Sequence, residues 1–166
     1  MTSGGSPVLP VDQYVASLAR KWMGAGAILR DESGSVLLVK PTYKPTWEVP
    51  GGAIEADESP RAACRREVAE ELGLDRPVGR LLAVDWIPPR PKWPDGLAIV
   101  YDGGFLTPDE ISAIRVPEEE LAGWAFVAPA QVESLVHPRL ARRVAACVRA
   151  LETGTTVSLE NGNPTG

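Results

Sequence analysis

The chain has 166 residues, 44% hydrophobic and 23% charged, a balance that suits one globular domain and excludes a wholly disordered chain. Seventeen Lys and Arg against 22 Asp and Glu give a net charge of −5, which argues against a general binder of nucleic acid or anionic membrane, since either needs a basic face. No apolar run approaches the roughly 18 residues of a spanning helix. The opening MTSGGSPVLP lacks the basic and apolar regions of a secretory signal, so a cytoplasmic location is expected. Two cysteines and one histidine are too few for a Cys/His zinc site, and Cys64 and Cys147, with no motif spacing, read as buried thiols.

Residues 1–10 and 153–166 are small and polar, which predicts loose ends around a single domain over 11–152. Val11, Tyr14, Val15 and Leu18 have the spacing of an amphipathic helix. Residues 21–29 then read as a strand, 31–34 as a turn and 35–40 as its hairpin partner. Pro41 and Pro45 make 41–46 a loop, and 47–49 form a short strand ending at Pro50-Gly51-Gly52. The helix over 59–72 has the clearest ends: Ser59 suits the N-cap, Pro60 the first helical position and Gly73 the position just past the end. Strands follow over 78–87 and 97–106, separated by the loop PPRPKWPDG. Two more are expected at 111–116 and 123–127, then helices at 129–136 and 139–151 broken near Pro138. Mixed strands with interspersed helices imply an α+β or α/β/α layered domain.

Residues 51–74, GGAIEADESPRAACRREVAEELGL, carry the most chemistry. Glu67, Glu70 and Glu71 are spaced i, i+3, i+4 and share one face of the helix, where like charges cost about 0.2–0.5 kcal/mol per pair. They also approach the helix end that disfavours anions. A compensating cation is called for. Arg65 and Arg66 reach part of the cluster, but a hard divalent ion is the stronger candidate, because Mg²⁺ takes carboxylate oxygens together with those of a bound phosphate. The plainer alternative is a solvated, charge-rich face. On the other arc, Ala62, Val68, Ala69 and Leu72, with Cys64 at the edge, can pack inward. Gly51 and Gly52 let the backbone approach a bound anion or offer a carbonyl to a metal.

The wider pattern is Gly52, five residues, Glu58, seven residues, then Arg66-Glu67-Val68-x-Glu70-Glu71-x-Gly73-Leu74. It resembles the Nudix box at every specified position, and the WEVP before it is also similar to the family. The resemblance to MutT-like Nudix hydrolases implies an α/β/α sandwich with a mixed sheet. It implies metal-dependent cleavage, with Mg²⁺ or Mn²⁺, of the pyrophosphate bond in a nucleoside diphosphate linked to another moiety (a nucleotide, nucleotide sugar or ADP-ribose type substrate). On the same grounds Glu67, Glu70, Glu71 and the Gly51 carbonyl match the metal ligands. Arg66 would orient the carboxylates through charge-assisted hydrogen bonds, Glu58 would support that arginine, and Gly52 and Gly73 belong to the frame of the box. The base that takes a proton from water would be a box glutamate, Glu67, or an acid of a downstream loop. Of Glu118, Glu119 and Glu120, Glu118 has the spacing to Trp124 seen in some relatives; the alternative is a solvated turn after Pro117.

Substrate identity is less legible. Trp86 and Trp93 are candidates to stack on a nucleobase, and equally candidates for packing. Trp47 and Trp124 read as structural, and His137 as a helix-end residue. Pro89, fifteen residues past Leu74, resembles a mark of ADP-ribose pyrophosphatases, but the loop is crowded with prolines. No Arg-rich coenzyme-A motif precedes the box, and no tyrosine falls at 88–94. The expected partner is a small-molecule diphosphate, with no membrane and no general nucleic acid, for a monomer or homodimer. Two other classes stay open: a non-catalytic nucleotide-binding module, which the resemblance pairs with an added winged-helix domain and a degraded box, and an isopentenyl-diphosphate-isomerase-like enzyme, which needs a catalytic cysteine. Cys64, inside the helix, reads as packing.

Overall fold

The computed structural model describes residues 9–166. The expected loose N-terminal segment therefore falls, over 1–8, outside the described residues. In chain order the elements are α1 (Val11–Ser17), β1 (Trp22–Arg30), β2 (Val36–Pro41), β3 (Gly51–Ala53), α2 (Pro60–Leu72), β4 (Leu81–Ile87) and β5 (Gly96–Phe105). Then come α3 (Pro108–Ala113), β6 (Leu121–Val127), a 3-10 helix (Pro129–Ser134), α4 (Pro138–Thr153), β7 (Val157–Glu160) and β8 (Asn163–Pro164).

The strands form one mixed sheet in the order β6-β2-β1-β5-β4-β7-β8, with β3 paired to β1. The pairs β1–β5 and β4–β7 are parallel and the others antiparallel. Central strands are buried on both faces, so they read as continuous apolar runs. Ala27, Leu29, Leu37 and Val39 turn to one core with Ala63, Cys64, Val68 and Leu72 of α2. Ile28, Val36, Leu38 and Val100 turn to the other, with Leu140, Val144 and Cys147 of α4. The result is the α/β/α sandwich with a mixed sheet, and both thiols are free and buried.

Helix α2 has the expected ends: the Ser59 hydroxyl accepts from Ala62 N at 3.2 Å, Pro60 opens the helix, and Gly73 takes the left-handed φ of 70°. Several expectations are corrected. The strand at 111–116 is instead α3 and a following coil, because Thr107 and Glu110 close a reciprocal capping box around Pro108. The short strand at 47–49 reduces to single bridges, Val39 to Glu48 and Trp47 to Val136. The C-terminal residues expected to be loose form β7 and β8; Leu159 is buried, and β7 extends the sheet beside β4. Their turn is Asn161-Gly162, both at positive φ, the two-residue hairpin signal. Helix α1 forms as its periodicity predicts, but none of its residues is buried, so its apolar stripe faces solvent.

Candidate active site

The Gly51-Gly52 bend and the middle of α2 meet where β3 lies along β1, with Gly51 opposite Gly26 and Gly52 opposite Ala25. Each glycine is required for a different reason. A Cβ on Gly51, at φ 149°, would stand 2.3 Å from the Ala25 carbonyl oxygen. On Gly52 it would stand 2.5 Å from the Glu67 carboxylate. The missing side chain at 52 is thus the space that Glu67 occupies.

Arg66 organises the carboxylates. Its Nε and Nη2 donate to both oxygens of Glu58 at 2.9 and 3.0 Å, and Nη1 donates to Glu67 at 2.8 Å and Glu70 at 3.1 Å. Nη2 also donates to the Ala53 carbonyl at 3.0 Å, which ties the bend to the helix. Arg66 in turn holds Glu58 below the ordinary carboxylate range, helped by the Glu55 backbone N–H. Glu71 turns the other way and accepts from Gly51 N at 2.9 Å. Burial pushes Glu71 up to about 8, and the negative charges of Glu67, Glu120 and Glu48 add to it, against the lowering effect of the Gly51 hydrogen bond. Glu67 is also raised, by burial first, with Arg66 opposing.

Of the three box glutamates, Glu67 and Glu70 share Arg66 Nη1 while Glu71 accepts from Gly51 N, and Glu70 is 60% exposed. Among the described residues, no three Asp, Glu, His or Cys side chains already converge on a ligating set. The donor set nevertheless suits a hard cation: carboxylate and carbonyl oxygens only, on a backbone cleared of Cβ atoms.

From this bend a cavity of about 530 Å³ runs across the face of the sheet that α4 covers. Gly24, Gly26, Ala98 and Val100 floor it. Lys44 and Glu48, which pair with each other, stand on one side. Arg90, His137, Arg139 and Arg143 stand on another. Trp93, 53% exposed, lines the cavity, while Trp86 does not; the Trp86 indole instead donates to Asp95 at 2.9 Å. Alternation along β4 explains this, since its neighbours Asp85 and Ile87 face α4 and the cavity. Trp22, missed in the sequence, takes the place expected of Trp86, in edge-to-face contact with Trp93 at 5.9 Å. Its signal is Trp22-x-Gly24-x-Gly26, an aromatic ahead of alternating glycines on one strand face. His137 caps α4 as expected, its Nδ1 accepting from Arg139 N at 3.2 Å, and it also faces the cavity. Trp47 and Trp124 pack against the two cores. All three of the downstream trio are exposed, and Glu120 is the member whose charge adds to the negative field at Glu71.

A layered α/β domain with an Arg-clamped acidic helix behind a glycine bend fits the class of pyrophosphohydrolases. Comparison with known proteins agrees. The NUDIX domain model matches residues 20–151, and the chain belongs to the Nudix family. A Bacillus subtilis (strain 168) protein, provisionally named an 8-oxo-dGTP diphosphatase, is 31% identical over 121 residues, 73% of this chain and 76% of that one. A MutT-like protein of Streptomyces ambofaciens is 42% identical over 60 residues, 36% of this chain and 38% of that protein. Among solved structures, a UDP-X diphosphatase superposes over 92% of this chain and 76% of its own, with a TM-score of 0.71 at 21% identity, a likeness of fold. No helix among the described residues is long and apolar enough to cross a membrane.

Proposed function

We propose that the protein hydrolyses the pyrophosphate bond of a nucleoside diphosphate linked to another moiety, with Mg²⁺ or Mn²⁺, in the cytoplasm. The observation that carries this reading is the Glu67 carboxylate seated in the space a Cβ at Gly52 would fill. The cation would be held by Glu67, Glu70, Glu71 and the Gly51 carbonyl, and when bound it supplies neutralisation of the diphosphate and a more acidic water. Arg66 keeps Glu67 and Glu70 in place, and Glu58 keeps Arg66 in place. Water attacks one phosphorus, the bridging P–O bond breaks toward the departing phosphate, and a carboxylate accepts the proton. Glu67 is the first candidate for that base. From the loop, Glu120 now stands beside Glu118 as a candidate, because its charge reaches Glu71. The cavity beyond the bend would seat the rest of the nucleotide, with Trp22 and Trp93 offering faces to a base.

The test is a panel of nucleoside diphosphate derivatives with saturating Mg²⁺, products resolved by mass. A nucleoside monophosphate should be released, and Glu70→Gln or Glu71→Gln should cut turnover by orders of magnitude with the circular dichroism unchanged. An inactive wild type across the panel, or full activity in both variants at limiting Mg²⁺, overturns the proposal.

A further inference from the structure

The far wall of the cavity has a charge that the whole chain does not. Arg90, Arg139 and Arg143 come from the loop after β4 and from two successive turns of α4, and all three line the same cavity. Arg143 is held by Asp85, Nε to Oδ2 at 2.7 Å, but its Nη2 is buried with no partner. Among the described residues, the guanidinium groups of Arg90 and Arg139 make no ion pair. The crowding is felt: burial lowers Arg139, and Arg90 and Arg143 lower it further, against the raising effects of Asp85 and Glu48. His137 is lowered by burial and then by Arg139 and Arg90. Among the described residues, the one acid lining the cavity, Glu48, is already paired with Lys44. Arg143 is compensated by Asp85, and Arg90 is exposed and lies over the Trp93 ring at 5.5 Å. The half-buried charge of Arg139, the open side of Arg90 and the unpartnered Arg143 Nη2 are what an anion could use.

The sheet register fixes how far this wall is from the bend. Ala53, Gly24, Ala98 and Asp85 lie in one row across β3, β1, β5 and β4. Three inter-strand spacings separate Ala53 from Asp85, about 14 Å, and Asp85 anchors Arg143. A pyrophosphate spans far less, so a diphosphate gripped at the bend does not reach Arg143 where Asp85 holds it. We infer that Arg90, Arg139 and Arg143 form a second anion subsite, and that the preferred substrates carry a further phosphate on the moiety seated away from the scissile anhydride. This rests on the pyrophosphohydrolase reading and narrows its substrate class to nucleotides with a distal phosphomonoester.

Two measurements test it. In EDTA, titration calorimetry compares adenosine with AMP. AMP should bind at least about tenfold tighter, and the Arg90→Gln/Arg139→Gln variant should abolish the gap. A gap that is absent, or that survives the substitutions, overturns the subsite. With Mg²⁺, kcat/KM is compared for ADP-ribose and for its forms phosphorylated on the adenosine ribose or on the terminal ribose. One phosphorylated form should be preferred at least about tenfold, with the preference lost in the variant; equal values for all three overturn the substrate class. Hydrolysis of none of them would sink the pyrophosphohydrolase reading instead, while the titration in EDTA still decides the subsite.

Discussion

Replacing Arg143 with Met should be among the most damaging single changes to stability in this domain. Asp85 is fully buried, and its two oxygens are spoken for: Oδ2 accepts from Arg143 Nε at 2.7 Å and Oδ1 from Gly162 N at 3.0 Å. One carboxylate thus joins β4, α4 and the β7–β8 turn. Met keeps most of the length and apolar contact of Arg143 but leaves the carboxylate buried with a single neutral donor. Breaking a buried pair from one side costs about 3–5 kcal/mol, a large part of a typical total of about 5–15 kcal/mol. At about 2–4 °C per kcal/mol for a chain of this size, Tm should fall by roughly 10 °C. Urea unfolding with the m-value monitored gives the free energy directly. The Asp85→Asn/Arg143→Met double variant should recover part of the loss, because no unpaired charge remains, and the cycle should show more than about 1 kcal/mol of coupling. A single variant within about 1 kcal/mol of wild type would refute the assignment of Asp85 as a charge that needs its partner.

Three further outcomes follow from the packing. Gly52→Ala should displace the Glu67 carboxylate from the 2.5 Å space it occupies and cut Mg²⁺-dependent hydrolysis at least about a hundredfold with Tm nearly unchanged; wild-type turnover would show that the placement of Glu67 does not matter. Leu159→Ala should cost about 2–5 kcal/mol, since the side chain is 1% exposed, whereas a truly loose tail would lose almost nothing in the same urea titration. Cys64 and Cys147, whose thiols burial pushes up to about 12 from the ordinary 9.0, should resist alkylation at pH 8 in the native state and both react in urea. Because the fold favours the neutral thiols, their contribution is complete below about pH 9 and is lost as pH rises through 9 toward 12; a flat stability profile over that window would contradict it.

The parts legible in the sequence were those set by local rules. Ser59, Pro60 and Gly73 bounded α2 because each acts on its own backbone, and the box spacing placed its glutamates along one helix. The apolar spacing of Ile111, Ile114 and Val116 does not decide 111–116, because Thr107-Pro108-Asp109-Glu110 satisfies helix donors within four residues. The C-terminal hairpin failed on composition, although Asn161-Gly162 carried its turn. Trp22 lines the cavity and Trp86 does not, a difference not legible in the sequence because the face a strand residue takes depends on which residues pair. The arginine wall was not legible at all: Arg90 lies far along the chain from Arg139 and Arg143, and the sheet and α4 alone bring them together.

Position 66 admits no conservative replacement. Its side chain gives five directed hydrogen bonds to four groups, Glu58, Glu67, Glu70 and the Ala53 carbonyl, and the flat fork of a guanidinium spreads its donors widely enough to reach all of them. An ammonium, with three donors at one point, could serve only some of these at once. Within the genetic code, that seat has a single occupant.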